Sequence, residues 1–232
     1  MRLIFKIFYN FLDNYFHKPR IKKFLKKMNL NCSNIIDVGS HKGESIDFFN
    51  SIYKNSNIYA FEPQKDCFDS LKKKYLSNNK ITVLNFALGE KKETKKLNKN
   101  FLSSTSTFSR LNHNSNHFKI KSFILGSNAG FYKEEIVNVE TLAFFFEKYN
   151  LEKIDILKID TEGYEIEVLN GLKRISSKIK VIIVEHNYTD YYMNYSLSNT
   201  KKYLSELSFK NLKNFKFPLM KYTDSIYINT KF

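Results

Sequence analysis

The sequence predicts an open α/β domain with a mostly parallel sheet, and three observations support this prediction. The apolar run Ile35–Val38 breaks at Gly39 and continues with helical spacing, which is typical of a nucleotide-binding turn. Short apolar runs then alternate with helical patterns along most of the chain. Ionisable residues follow several of these runs, where the carboxyl ends of parallel strands form a common edge.

Length, cysteine usage and charge narrow the class of protein. The 232 residues suffice for one α/β domain with a sizeable core. Cys32 and Cys67 have no metal-ligand spacing, and a chain of this size needs no disulfide scaffold, so they indicate reduced thiols and a cytoplasmic protein. The net charge of +15 favours anionic partners, although AT-rich coding DNA would also produce this excess of lysine.

Residues 1–30 stand apart from a single predicted domain over residues 31–232. An apolar stripe recurs at helical spacing at Ile4, Ile7, Phe8, Phe11 and Tyr15. Basic residues follow it, while polar residues interrupt the apolar run too early for a membrane span, and no signal-peptide pattern is present. Two interpretations remain: a helix packed on the domain's edge with solvated lysines, which we favour, or peripheral contact with an anionic membrane through residues 1–27.

The remaining elements follow in order along the chain. Predicted strands span residues 57–61, 81–86, 137–140, 154–159 and 180–184, and an antiparallel closing pair spans 208–215 and 225–229. Predicted helices span residues 44–53, 67–75, 142–149 and 198–207, with one more that ends near Gly171. Residues 90–135 lose this alternation and predict an insertion with hairpin pieces or a lid.

The glycine turn and one later carboxylate predict a nucleoside site. Glu62 lies 23 residues beyond Gly39, and an acid at about 20 residues is placed to accept hydrogen bonds from ribose hydroxyls. Pro63 ends the strand and fixes the turn that presents Glu62, while Gly43 lets the next helix start close to its strand. The strand tip at Ala87 is predicted to flank an adenine. The glycine spacing differs from the dinucleotide fingerprint and disfavours an NAD-dependent enzyme.

Six short motifs occur in a fixed order along the chain. They are Ile-Ile-Asp-Val-Gly-Ser-His-Lys-Gly (35–43), Phe-Glu-Pro (61–63), Asn-Phe-Ala-Leu-Gly (85–89), Val-Glu-Thr-Leu (139–142), Leu-Lys-Ile-Asp-Thr-Glu-Gly-Tyr-Glu (157–165) and Val-Glu-His (184–186). Together they resemble the FkbM-type family of S-adenosylmethionine-dependent methyltransferases. Ser40 and His41 stand where that family usually has Ala followed by Asn.

The resemblance implies a Rossmann-like class I methyltransferase fold, with helices on both faces of a seven-stranded, mostly parallel sheet whose last strand is antiparallel. It also implies bound S-adenosylmethionine. The predicted cofactor-binding set is Asp37, Gly39, Ser40, His41, Gly43, Glu62, Pro63 and Ala87. The usual family reaction methylates a hydroxyl, so the resemblance implies a small-molecule or glycan acceptor, for example in polysaccharide biosynthesis.

Methyl transfer to a hydroxyl needs a base beside the acceptor oxygen. The candidate catalytic residues are Asp160, Glu162, Glu185 and His186, and Asp160 ranks first because it directly follows a predicted strand. One alternative is a Mg²⁺ ion held by the three carboxylates, whose oxygens suit that metal. Another is that Glu162 stabilises the N-terminus of the following helix.

Two other function classes stay open. The positive charge suggests an RNA methyltransferase, but the chain has no Asn-Pro-Pro-Tyr or Asp-Pro-Pro-Tyr motif and its lysines are spread throughout, so nucleic acid is a disfavoured partner. The other class is a non-catalytic module that binds a nucleotide or docks on a membrane.

Overall fold

The computed structural model describes residues 2–100, 103–116, 118–119, 131–187, 190–193, 195–219 and 221–232, with side chains from residue 7 onward. The strands are β1 (Asn34–Val38), β2 (Asn57–Phe61), β3 (Ile81–Leu84), β4 (Ala87–Leu88), β5 (Glu93–Asn100), β6 (Phe131–Glu140), β7 (Ile154–Ile159), β8 (Ile179–Asn187), β9 (Phe209–Lys216) and β10 (Tyr222–Asn229). The α-helices are α1 (Arg2–Leu12), α2 (Lys18–Lys27), α3 (Glu44–Asn50), α4 (Lys65–Lys74), α5 (Leu142–Lys148), α6 (Glu165–Asn170) and α7 (Leu197–Glu206).

Seven strands form one sheet in the order β3-β2-β1-β7-β8-β10-β9. Strands β3, β2, β1, β7 and β8 pair in parallel, whereas β10 runs antiparallel to both β8 and β9. This confirms the predicted sheet, including its antiparallel last strand. The strand order reverses at β1, so the carboxyl ends of β1, β2 and β7 meet at the switch point where such sheets bind ligands.

The parallel strands are buried on both faces, which explains their nearly continuous apolar sequences. On one face, the strands pack against Leu142, Val168 and Leu204 of α5, α6 and α7. On the other face, Leu25 of α2 packs with side chains of α3 and α4, among them Ile46. Two apolar layers therefore hold the sheet rigid and fix the edge at which the strands end.

Most predicted elements form with ends shifted by a few residues, and β8 shows the most consequential shift. It continues to Asn187, beyond the predicted end at Val184, because β10 pairs with it as far as Tyr222 and Asn187. Glu185 and His186 therefore lie inside a strand and project in opposite directions, since successive side chains of a strand alternate between faces.

A second, three-stranded sheet has the order β4-β6-β5. The predicted strand over 81–86 ends at Leu84, and the chain then continues into β4 of this second sheet. Strands β5 and β6 pair antiparallel in the region where the sequence predicts hairpin pieces. Parts of the predicted insertion, residues 101–102, 117 and 120–130, lie outside the described residues.

The N-terminal rod, as we call residues 2–27, is a continuous helix made of α1, a π-helical turn (Asp13–His17) and α2. Pro19 has no N–H and its ring crowds the carbonyl four residues earlier, which accounts for the wider turn just before it. His17 fixes the rod to the sheet through a 2.6 Å contact between its Nε2 and Oδ2 of Asp224 in β10. Within the described ranges, the structure contains no helix with both the length and the apolar character needed to cross a membrane.

Candidate active site

Gly39 sets the close approach between the β1 turn and the end of β7. Its φ is +85°, and a Cβ built on it would overlap the carbonyl oxygen of Asp160. Gly43 has φ +87° and directly precedes α3, and its carbonyl accepts a 3.1 Å hydrogen bond from Tyr75, the residue that follows α4. Only glycine combines this backbone conformation with such close packing, so the two residues fix the turn between β7 and α4.

Two polar residues of the predicted cofactor set lie beneath the turn. Asp37 is fully buried and accepts a 2.5 Å hydrogen bond from the Ser45 hydroxyl. Burial raises the pKa of Asp37, while the Lys158 charge opposes that rise. The Ser40 hydroxyl donates to the Asp37 carbonyl at 3.0 Å. Both side chains therefore support the shape of the turn from behind.

Glu62 lies at the end of β2 and faces the turn. Its carboxylate accepts hydrogen bonds from the backbone N–H groups of His41 at 2.7 Å and Gln64 at 2.8 Å. Burial raises the pKa of Glu62 to about 7, although these hydrogen bonds act in the opposite direction. Each carboxylate oxygen has two acceptor sites, so one bond to each oxygen leaves the capacity to accept two hydroxyl groups.

A cavity of about 60 Å³ lies between the carboxyl ends of β1, β2, β4 and β7. The predicted site residues that line it are Gly39, His41, Glu62, Pro63, Ala87, Asp160 and Glu162. Apolar side chains of Phe61 and Leu88 form part of its wall. Five other predicted residues do not line it: Asp37, Ser40, Gly43, Glu185 and His186.

The covering segment, defined here as residues 103–108, lines one side of this cavity. The Gln64 side-chain amide donates to the Ser103 carbonyl at 3.0 Å, and the Thr107 hydroxyl donates to the Glu162 carbonyl at 2.7 Å. The segment thus bridges the turns that follow β2 and β7. A site for a drug-sized ligand usually occupies about 300–1,000 Å³, so a nucleoside cofactor requires this segment to move.

An acidic cluster of Asp160, Glu162 and Glu185 lies next to the cavity, with one carboxylate oxygen of each within 4.8 Å of the others. Lys158 donates to Asp160 at 2.8 Å. Although burial lowers the pKa of Lys158, the carboxylates around it, Asp160 first, raise that pKa overall. Burial, followed by the charges of Asp160 and Asp224, raises the pKa of Glu185 well above its ordinary value. Lys158 therefore supplies a fixed positive charge beside the three acids.

Tyr192 holds Glu162 in this cluster. Its hydroxyl donates to the Glu162 carboxylate, and the Tyr192 side chain is buried. Glu162 itself has φ +55° in the turn before Gly163. Burial and then the neighbouring Glu162 charge raise the pKa of Tyr192, so the phenol remains a hydrogen-bond donor near neutral pH.

The structure does not bring His186 to the acidic cluster. The imidazole is fully buried, with Nδ1 at 3.1 Å from the Tyr195 hydroxyl and Nε2 at 2.8 Å from the Tyr227 hydroxyl. Burial lowers the pKa of His186 to about 4. Its position on the opposite face of β8 from Glu185 gives it a packing role beneath the site.

Sequence reasoning missed several residues of the site. Lys158 carried a usable signal, because it interrupts a buried apolar strand and lies two residues before Asp160, on the same side of the chain. Gln64 carried a second usable signal, because it directly follows the Phe-Glu-Pro motif. Tyr192 carried no spacing signal, since only tertiary contacts bring it to the site. The covering segment lies within the predicted insertion, for which hairpin pieces or a lid are expected, but no spacing singled out residues 103–108.

Comparisons with known proteins agree with this geometry. A family profile described as "Methyltransferase FkbM domain" matches residues 37–211, and a search of curated proteins found no match. The M. capricolum TrmK structure, in complex with S-adenosyl-homocysteine, aligns over 94% of this chain and 69% of its own, with a TM-score of 0.52 and 12% identity. An rRNA methylase from Streptococcus thermophilus aligns over 90% of this chain and 94% of its own, with a TM-score of 0.50 and 10% identity.

These likenesses confirm the Rossmann-like class I methyltransferase fold. The family profile covers well over half of the chain and includes the glycine turn, Glu62 and the acidic cluster. The chain belongs to the methyltransferase FkbM domain family.

Proposed function

We propose that the protein uses S-adenosylmethionine to methylate a hydroxyl group on a sugar or a related small-molecule or glycan acceptor. Family membership supports methyl transfer. The observation that carries the cofactor assignment is the buried Glu62 carboxylate, which lines a cavity beside the Gly39 turn.

The residues around the cavity fit the chemistry of this cofactor. Glu62 suits the two ribose hydroxyls, and the apolar surface of Phe61, Ala87 and Leu88 suits an adenine ring. The bound S-adenosyl-homocysteine of the TrmK structure, which has the same fold, supports the choice of cofactor. When bound, S-adenosylmethionine supplies an electrophilic methyl group.

The acidic cluster supports a neutral hydroxyl acceptor. Asp160 lines the cavity and is suited to take the hydroxyl proton as general base, and its hydrogen bond from Lys158 fixes its carboxylate beside the acceptor. Glu185, whose pKa is raised by burial, lies behind it in the cluster and is suited to hold a proton rather than to accept one. The buried His186 has no part in this proposal.

The same electrostatics disfavour the RNA alternative. Three acidic side chains lie together beside the cavity, and the one ion pair among them joins Asp160 to Lys158, so this surface disfavours phosphate groups. RNA binding that competes with the acceptor or depends on the cluster would contradict the proposal.

The proposal includes no metal ion. Lys158 already pairs with Asp160, and Tyr192 already donates to Glu162, so two of the three potential ligands have protein partners. The Mg²⁺ alternative stays a hypothesis that a titration of the protein with Mg²⁺ would test.

Isothermal titration of S-adenosyl-homocysteine tests the cofactor assignment. We expect a dissociation constant in the micromolar range, about −8 kcal/mol of binding free energy. Glu62→Ala should weaken binding about tenfold or more, because it removes charge-assisted hydrogen bonds. Glu90→Ala, an exposed change outside the cavity, should leave it unchanged.

Absence of binding, or equal binding by the two variants, would contradict the assignment. Thermal unfolding of each variant separates loss of the site from loss of the fold, because Glu62 also accepts two backbone hydrogen bonds.

A further inference from the structure

The N-terminal rod exposes a patch of large apolar side chains. The aromatic patch comprises Ile7, Phe8, Phe11, Tyr15 and Phe16, which are 46–70% exposed. The Phe11 ring lies 5.0 Å from the Tyr15 ring and 5.8 Å from the Phe16 ring, so these side chains form one continuous surface. A contiguous exposed apolar surface of this kind indicates an interaction site.

The opposite side of the rod is already fixed to the domain. The Tyr9 ring stacks on Phe217 at 4.9 Å, and its hydroxyl lies 2.8 Å from that of Tyr222. His17 contacts Asp224 in the same strand. The rod cannot rotate to bury the aromatic patch without breaking these contacts.

The rod lies at the same edge of the sheet as the acidic cluster. Tyr222 is paired with Asn187 at the carboxyl end of β8, and Asp224 is paired with Glu185 of the cluster. The β9–β10 turn also projects from this edge, and Leu219 at its tip is 82% exposed. The rod, the β9–β10 turn and the acidic cluster therefore share one edge of the sheet.

Positive charge accompanies these apolar groups. Residues 16, 20, 23 and 27 follow one face of a helix, so Arg20, Lys23 and Lys27 continue the exposed face of Phe16. Lys23 and Lys27 are exposed and form no ion pair within the described residues. Exposed lysines also flank the β9–β10 turn on both sides, at positions 216 and 221.

We propose that this edge docks on a lipid surface that carries anionic headgroups. Aromatic side chains on a rod with adjacent lysines are the composition of a helix that lies in a membrane interface. The docking does not depend on the proposed function. One consequence does rest on it: the site would take its hydroxyl acceptor from that lipid surface.

The chain contains no tryptophan, so a single introduced tryptophan reports on its own position. Three single variants would carry the tryptophan. They are Phe11→Trp in the aromatic patch, Leu219→Trp in the β9–β10 turn and Leu76→Trp as a control. Leu76 is exposed and follows α4, which returns the chain to the opposite edge of the sheet.

We expect vesicles of equimolar phosphatidylcholine and phosphatidylglycerol to shift the emission at positions 11 and 219 to the blue, with quenching by brominated lipids. Position 76 and vesicles of phosphatidylcholine alone should give no shift. Unshifted emission at position 11 or 219, or an equal shift at all three positions, would overturn the proposal. A shift that grows with protein concentration without vesicles would assign the patch to a second copy of the chain, which also overturns it.

A charge variant tests the electrostatic part by vesicle sedimentation. Lys23→Gln/Lys26→Gln/Lys27→Gln, which removes the three exposed lysines of α2, should weaken binding to the anionic vesicles on the order of a hundredfold. The matched control Lys54→Gln/Lys73→Gln/Lys80→Gln removes the same charge from exposed positions elsewhere and should bind almost as the parent does. Equal losses in the two variants would overturn the proposal.

The titration of S-adenosyl-homocysteine, run on the same proteins, separates the two ideas. Cofactor binding without vesicle binding overturns this inference alone. Vesicle binding without cofactor binding overturns the proposed function alone and leaves the docking surface in place.

Discussion

At the scale of single residues, Gly39 controls how closely the β1 turn approaches β7. Gly39→Ala forces an unfavourable backbone conformation and an overlap with the Asp160 carbonyl. We expect a loss of about 1–3 kcal/mol in the free energy of unfolding, measured with urea. Ser77→Ala, at an exposed position, should change it by less than about 0.5 kcal/mol. Equal stability of the two variants would refute this explanation of the turn.

The raised pKa of Glu62 gives cofactor binding a defined pH dependence. Ribose hydroxyls donate to the ionised carboxylate, but below a pKa of about 7 the empty site holds a proton on Glu62. Binding must then release that proton, so affinity for S-adenosyl-homocysteine should fall about tenfold per pH unit below pH 7 and level off above it. Calorimetry in buffers of different ionisation enthalpy would measure the released proton.

Glu62→Gln provides the control for this prediction, because it keeps the size of the side chain and removes its ionisation. At pH 8 the variant should bind S-adenosyl-homocysteine more weakly than the parent protein does. Its affinity should stay constant between pH 6 and 8. An identical pH profile in the parent and the variant would assign the titration to another group.

At the scale of elements, the covering segment should control entry to the cavity. Thr107→Val removes the hydroxyl that donates to the Glu162 carbonyl. Because one hydrogen bond contributes about 1 kcal/mol, the association rate constant of S-adenosyl-homocysteine should rise about fivefold. Surface plasmon resonance would measure it. The control Thr94→Val, on the exposed side of β5, should leave the association rate constant unchanged. The same association rate constant in the parent and both variants would exclude a gating role for the covering segment.

The two faces of the N-terminal rod should differ sharply in stability experiments. Leu25 is fully buried between α2 and the sheet, so Leu25→Ala should cost about 2–5 kcal/mol of unfolding free energy. Phe16→Ala removes an exposed ring and should cost less than about 0.5 kcal/mol. Urea unfolding would measure both changes, and similar costs would mean that the aromatic patch is part of the core.

At the scale of the whole molecule, the sheet was predictable because its strands and helices follow simple apolar periods. The end of β8 was not, since the antiparallel pairing with β10 extends it through Glu185. The glycine turn and Glu62 could be placed by spacing alone. Tyr192 could not, because it reaches the site only through a long-range contact. A lid was expected within residues 90–135, but its contact with the turn after β7 could not be placed from the sequence.

Charge distribution is a second property of the whole molecule that composition alone obscures. The net charge of +15 suggests a partner rich in phosphate, yet the cavity is bordered by Asp160, Glu162 and Glu185. Basic side chains lie on exposed surfaces away from the cluster, among them those of the rod and the neighbouring turn. The molecule thus separates an acidic site from a basic exterior.

A crystal structure of the complex with S-adenosyl-homocysteine tests the central claim most directly. We predict electron density for the ligand between the carboxyl ends of β1, β2 and β7, with both ribose hydroxyls on Glu62 and residues 103–108 displaced. Density at another place on the molecule, or a ribose without contact to Glu62, would contradict the account.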